Sequence, residues 1–133
     1  MKLIVCLDEQ GGMMFNHRRQ SRDRVLIADM VATVGDGALF VSPYSLPLFE
    51  GVRSCHVADV PLAAAAEQDF CFVEDTPILP FAERIDTVIL YRFGRAYPAD
   101  VFFPLDLKDY QKKERSCFEG SSHKSIIKEV YEK

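Results

Sequence analysis

No apolar run in this 133-residue sequence approaches the ~20 residues of a membrane-spanning helix, so no such span is expected. The opening "MKLIVCLDEQ" reaches Asp8 and Glu9 too soon for a signal peptide, which points to a cytoplasmic protein. A basic surplus is missing as well: 16 Lys and Arg stand against 20 Asp and Glu, a net charge of −4. General nucleic-acid binding needs a basic surface to displace counterions from phosphates, and is therefore not expected. No C-x-x-C pair occurs; Cys6, Cys55, Cys71 and Cys117 lie far apart inside apolar runs and read as buried free thiols. His17, His56 and His123 stand alone, without H-x-H-x-D-H or H-E-x-x-H, so no metal site is expected. His56 alternates with apolar neighbours and reads as a core or edge histidine, and His123 in "GSSHK" as an exposed turn residue. Neither G-x-S-x-G nor G-x-x-x-x-G-K-[ST] is present, which removes the usual signatures of serine hydrolysis and nucleotide hydrolysis.

Repeats, low-complexity tracts and linkers are missing too. The length fits one domain, residues 1 to 133, able to bury a core without metal or disulfide. Apolar content of 48%, with charge spread along the chain, argues for a globule and against disorder. Leu3 to Leu7 is a continuous apolar run ending near Gly11 and Gly12, as a strand buried on both faces would be. Ile27, Met30, Val31 and Val34 then fall at helical spacing, with Ser21 as N-cap and Gly35 to Gly37 as stop. Short apolar runs at 38–41, 54–58 and 69–73 read as strands, and "SPYSLPLFEG" and "PLAAAAEQ" between them have room for a helical turn or two. "TPILPFAERID" predicts another short helix before "TVILYRF" (87–93), the strongest strand pattern in the chain. "KKERSCFEG" and "KSIIKEVYEK", joined by "GSSH", predict a closing hairpin. The sum is an α/β fold in a single domain: a mostly parallel central sheet with a C-terminal antiparallel hairpin.

The densest chemistry lies in "GGMMFNHRRQSRDR", residues 11 to 24, where Arg18, Arg19, Arg22 and Arg24 surround His17 and Asp23. Arginine presents a planar fork of donors suited to carboxylate or phosphate, and "MMFNHRRQ" is read as a loop at the carboxyl end of a strand, where open α/β sheets place ligands. The four arginines cannot all meet one ligand, because Arg22 and Arg24 would sit on different faces of the first helical turn. Three readings of the cluster stand: the arginines pair with acidic loops such as Glu74 and Asp75 or are solvated, they serve a small anionic or nucleotide-like ligand, or they meet a macromolecular partner.

The order of elements resembles a shortened dihydrofolate reductase. "KLIVCLDEQGGM" is similar to that family's first strand and glycine turn, and "QSRDRVLIADM" follows where its first helix carries a substrate-binding carboxylate. "TVILYRFGRAYPADVFFPLDLKDY" resembles its late strand and D-T-x-F-P segment, here Asp100, Val101, Phe102, Phe103 and Pro104, and "IIKEVYEK" its closing hairpin. The resemblance implies that Asp23 occupies the place of the carboxylate that anchors a pterin ring and helps its protonation. Burial would raise the pKa of such a group, neighbouring guanidinium groups would lower it, and a place in the first turn of a helix would favour the charged form through the dipole. The family's supporting threonine is replaced by Val101, which with Phe102 and Phe103 reads as core.

The cofactor side departs from the family. Where the resemblance implies a glycine turn for a pyrophosphate, the sequence has "CFVEDTP", with Glu74, Asp75 and Pro77, and Ser42 and Pro43 replace a glycine and a basic residue after the second strand. Carboxylates repel a pyrophosphate and proline removes a donor, so neither NADPH nor any other cofactor is expected. Two functions follow. One is a non-reductase domain on a reductase-like scaffold, holding a small anionic metabolite with His17, Arg18, Arg19, Arg22 and Asp23. The other is a divergent reductase of pterin-like substrates with Asp23 as its catalytic acid.

Overall fold

A computed structural model describes all residues, Met1 to Lys133. The chain runs β1 (Lys2–Leu7), β2 (Gly12–Phe15), β3 (Arg18–Arg19), α1 (Arg24–Val34), β4 (Leu39–Val41), β5 (Cys55–Val57), α2 (Pro61–Ala64), β6 (Phe70–Phe72), β7 (Thr87–Phe93), β8 (Val101–Phe102), β9 (Gln111–Phe118) and β10 (Ile126–Glu132). Short 3-10 turns cover Leu46–Phe49 and Leu79–Arg84, the second lying where a short helix was expected.

Seven strands form one sheet in the order β5-β4-β6-β1-β7-β10-β9. Strands β5 through β7 in that order are parallel, while β10 runs antiparallel to both β7 and β9. This is the expected parallel sheet with an antiparallel closing hairpin. The central strands are apolar on both faces because both faces are covered. Leu3, Val5 and Leu7 of β1 and Val88 and Leu90 of β7 enter one buried cluster with Leu62, Ile78 and Ile85. Ile4, Ile89, Tyr91 and Phe93 point the other way, against Leu26, Met30 and Val34 of α1. Strand β9 is exposed along nearly its whole length and carries Lys112, Lys113 and Arg115, charges that suit an unpaired sheet edge. His56 also lies at an edge, on β5, exposed and stacked on Phe40 at 5.2 Å.

Several expectations are corrected. Helix α1 starts at Arg24 with Asp23 as its N-cap, not Ser21, since the Asp23 carboxylate accepts from the N–H groups of Val25 and Leu26. Its stop is as read: Gly35, at φ +57°, donates to the carbonyl of Val31. Residues 13 to 20 are not a plain loop. Strands β2 and β3 form a hairpin around Asn16 and His17, at φ 51° and 62°, and β2 also pairs with β8 in a second sheet of order β3-β2-β8. Val101 and Phe102 are not core; they are 43% and 51% exposed, because β8 lies on this small outer sheet, and of that segment Phe103 alone packs inward. Of the cysteines Cys71 is buried, Cys6 and Cys55 are half-buried, and Cys117 is exposed on β9. No helix is long and apolar enough to cross a membrane.

Candidate functional site

The β2–β3 hairpin folds over the carboxyl end of β1 and brings Arg19 to the turn that follows β6. There the Arg19 guanidinium holds Glu74 in a two-bond fork, Nε to Oε2 at 2.9 Å and an Nη to Oε1 at 3.0 Å. It also lies over the ring of Tyr44, 4.5 Å from the centroid, and donates to the Tyr44 carbonyl. Burial would lower the pKa of Arg19, but its bonds to Glu74 outweigh this and the net shift is upward. Glu74 accepts a further bond from the Ser45 hydroxyl at 2.7 Å, and Asp75 accepts from Ser42 at 2.8 Å. Arg19 with its carboxylate thus closes the crevice between hairpin and helix. What remains beneath is a cavity of about 20 Å³, lined by Cys6, Gln20, Arg22, Asp23, Leu26 and Phe93 among others, with room for about one water. Gln20 Oε1 is buried with no hydrogen-bond partner, while its Nε2 donates to the buried carboxylate of Asp8 at 3.2 Å.

Asp23 lines the same cavity and is only 3% exposed. Besides Val25 and Leu26 N–H, its Oδ1 accepts from Ser121 N–H, while Oδ2 accepts from Ser122 N–H at 2.9 Å and from His123 Nδ1 at 3.0 Å. Burial pushes the Asp23 carboxyl up, but the N–H groups of Ser122 and Ser121 and the His123 ring outweigh it, and its pKa falls far below the ordinary carboxylate range. His123 is not the exposed turn residue that "GSSHK" implied. It is 5% exposed, stacked on Phe93 at 4.5 Å, and its Nε2 lies 2.9 Å from the Tyr97 hydroxyl. Tyr97 is held in turn by its own N–H, which donates to Asp8 at 3.0 Å.

The remaining candidates scatter. Arg22 is exposed at the rim of the cavity, and Arg18 and Arg24 are exposed elsewhere; none of the three is in an ion pair. His17, at the hairpin tip, lines a different groove of about 720 Å³ with Met14, Asp75, Thr76, Asp100 and Phe102. The structure therefore brings Arg19, Arg22 and Asp23 to one cavity and leaves His17 and Arg18 outside it. No group of three His, Cys, Asp or Glu side chains is arranged to hold a metal ion. Tyr44, Ser45, Tyr97 and His123 were missed as participants. Their contacts join loops distant in sequence, and only the serine and tyrosine hydroxyls gave a local hint.

No family model matches the chain, and no curated protein sequence is similar enough to count as a relative. Among solved structures the chain is similar to dihydrofolate reductase from Enterococcus faecalis complexed with NADP(H) and RAB-propyl. The TM-score is 0.70 at 11% identity, over 98% of this chain and 94% of that one. The fold is dihydrofolate reductase-like.

Proposed function

We propose that this chain is a non-reductase binding domain on a reductase-like scaffold, and that it holds a small anionic ligand on the Arg19 fork at the mouth of the closed crevice, in the place Glu74 now takes. The observation that carries this reading is the Arg19 fork, which already grips a carboxylate at the carboxyl end of the parallel strands. A ligand carboxylate or phosphate offers the same pair of oxygens as Glu74. Arg22, exposed and unpaired at the rim, supplies a second cation.

The turns after β4 and β6 do not fit a dinucleotide pyrophosphate. Glu74 and Asp75 stand there with no glycine, and they take up the hydroxyls of Ser45 and Ser42 that could otherwise donate to phosphate oxygens. The fold likeness favours the second reading, a reductase with Asp23 as acid. A carboxylate held ionised by this many donors is a poor proton source at neutral pH, which weighs against it.

Isothermal titration with succinate, inorganic phosphate and NADPH tests the reading. Saturable binding of succinate or phosphate, tightened about tenfold in Glu74→Gln as the fork is released from a charged partner, is the expected result. Failure of both anions to bind wild type and variant, or saturable NADPH binding with turnover of dihydrofolate, would overturn it.

A further inference from the structure

Three side chains form a directed chain that leads away from the Arg19 crevice: Asp23, which lines it, then His123 and Tyr97, which do not. Asp23 is ionised and can only accept, so His123 Nδ1 carries the proton in the 3.0 Å contact between them. In the tautomer that donates from Nδ1 alone, Nε2 is an acceptor, and the Tyr97 hydroxyl, 2.9 Å away, is placed to donate to it. Carboxylate orients imidazole, and imidazole faces a hydroxyl as its base. This is the general arrangement of an activated nucleophile.

The chain is rigidly held. His123 is clamped against Phe93, whose ring also meets Tyr97 edge-on at 6.1 Å. Tyr97 belongs to no helix or strand, yet its backbone is fixed to buried Asp8. Its phenol is half-buried, and the Arg95 guanidinium lies 5.5 Å from its ring centroid. Beside His123, residues Gly94, Arg95, Ser122, Lys124 and Ser125 line a depression of about 390 Å³ without any hydrophobic side chain, and Arg95, which overlies the Tyr97 ring, connects the two. Neither Arg95 nor Lys124 is in an ion pair, so both cations are free to meet an anion there.

We infer that Asp23, His123 and Tyr97 form an activated-phenol site acting on small anionic substrates that carry an electrophilic acyl or phosphoryl centre. Tyr97 Oη forms a bond to that centre, and the bond to the leaving group breaks with its electron pair. The phenolic proton passes to His123 Nε2 and from there to the leaving group. Asp23 is the positioning residue: it fixes the tautomer and faces the imidazolium while the proton is held. Arg95 and Lys124 select for negative charge.

The probe is 4-(fluorosulfonyl)benzoate, an anionic electrophile, with uncharged benzenesulfonyl fluoride for comparison. Oη–S bond formation expels fluoride, and the proton goes to His123. Peptide mass spectrometry reads the rate at Tyr97 against Tyr44 and Tyr131, the other tyrosines that are not buried, in the same protein. The expected result is modification of Tyr97 at least about tenfold faster than of the other two, with the anionic probe preferred and the preference lost in the Arg95→Ala, Lys124→Ala double variant. His123→Gln should bring Tyr97 down to the rate of Tyr44. Equal rates at the three tyrosines of the wild-type protein would overturn the inference whether or not the His123 variant folds. An unchanged Tyr97 rate in a folded His123→Gln variant would overturn it as well.

Discussion

The Asp23 carboxylate and the His123 imidazole meet at 3.0 Å although 100 residues separate them. The contact ties the start of α1 to the loop between β9 and β10, so one side chain caps the helix and anchors the closing hairpin. Replacing it removes the cap on the buried Leu26 N–H and leaves the part-buried N–H groups of Ser121 and Ser122 without their acceptor. Asp23→Ala should cost about 2–4 kcal/mol, the lost cap together with the donors left without an acceptor. Urea unfolding measures this directly, and a loss under about 1 kcal/mol would show that the loop finds other partners.

Gly120 sits against this carboxylate. A Cβ there would overlap Asp23 Oδ2 and come within 2.6 Å of Ile126 Cδ1, so the position needs glycine for close approach. Gly120→Ala should destabilise by about 1–3 kcal/mol, the usual range for overpacking. It should also displace the His123 ring, seen as a change in the imidazole NMR signals. An unchanged urea midpoint would mean that the loop backs away freely.

Three buried carboxylates make the fold sensitive to acid. Burial acts to raise the pKa of each, but in Asp23 the Ser121, Ser122 and His123 donors prevail, in Asp8 the N–H groups of Tyr97, Gly12 and Gln10, and in Glu129 the side chains of Arg92 and Lys112. All three are lowered in the folded state, so the unfolded chain binds more protons as pH falls. Their stabilisation is complete above the unfolded values of about 4 and is lost as pH falls through the folded ones. Urea midpoints should hold from pH 7 to about 5 and then decline. Glu129→Gln should flatten that decline; a midpoint that rises on acidification would contradict the assignment.

What could be read ahead of the structure divides by range. Strand β7 at residues 87–93 and the Gly35 stop were legible because apolar runs and positive-φ glycines are local signals. The choice between Ser21 and Asp23 as N-cap was not, since both residue types cap well and the decision rests on a loop about 100 residues away. The β2–β3 hairpin was hidden because its two turn residues, Asn16 and His17, take positive φ without glycine. Its outer partner β8 lies far along the chain. Of the candidate site, the arginine cluster was visible in composition. Which arginine turns inward depended on Glu74 and Tyr44, and that pairing is a property of the fold.

That difference separates Arg19 from Arg22. The Arg19 side chain is 23% exposed and its Glu74 partner 10% exposed, so Arg19→Ala leaves a largely buried carboxylate whose remaining side-chain donor is Ser45. A loss of about 2–4 kcal/mol of stability is expected, below the 3–5 of a fully buried pair because water reaches the guanidinium. Arg22 is exposed and in no ion pair, so Arg22→Ala should leave the melting temperature nearly unchanged. If the anion bound in the crevice contacts Arg22, the same variant should weaken succinate or phosphate binding by ~1.5–3 kcal/mol, the range for a hydrogen bond to a charged group. Calorimetry and thermal melts on the two variants side by side decide the matter. Should Arg22→Ala bind the anions as tightly as wild type, the rim cation is mere solvated surface and the ligand lies with Arg19 alone. Should it lose stability as Arg19→Ala does, Arg22 is holding the helix start and the division of labour drawn from the ion pairs is wrong.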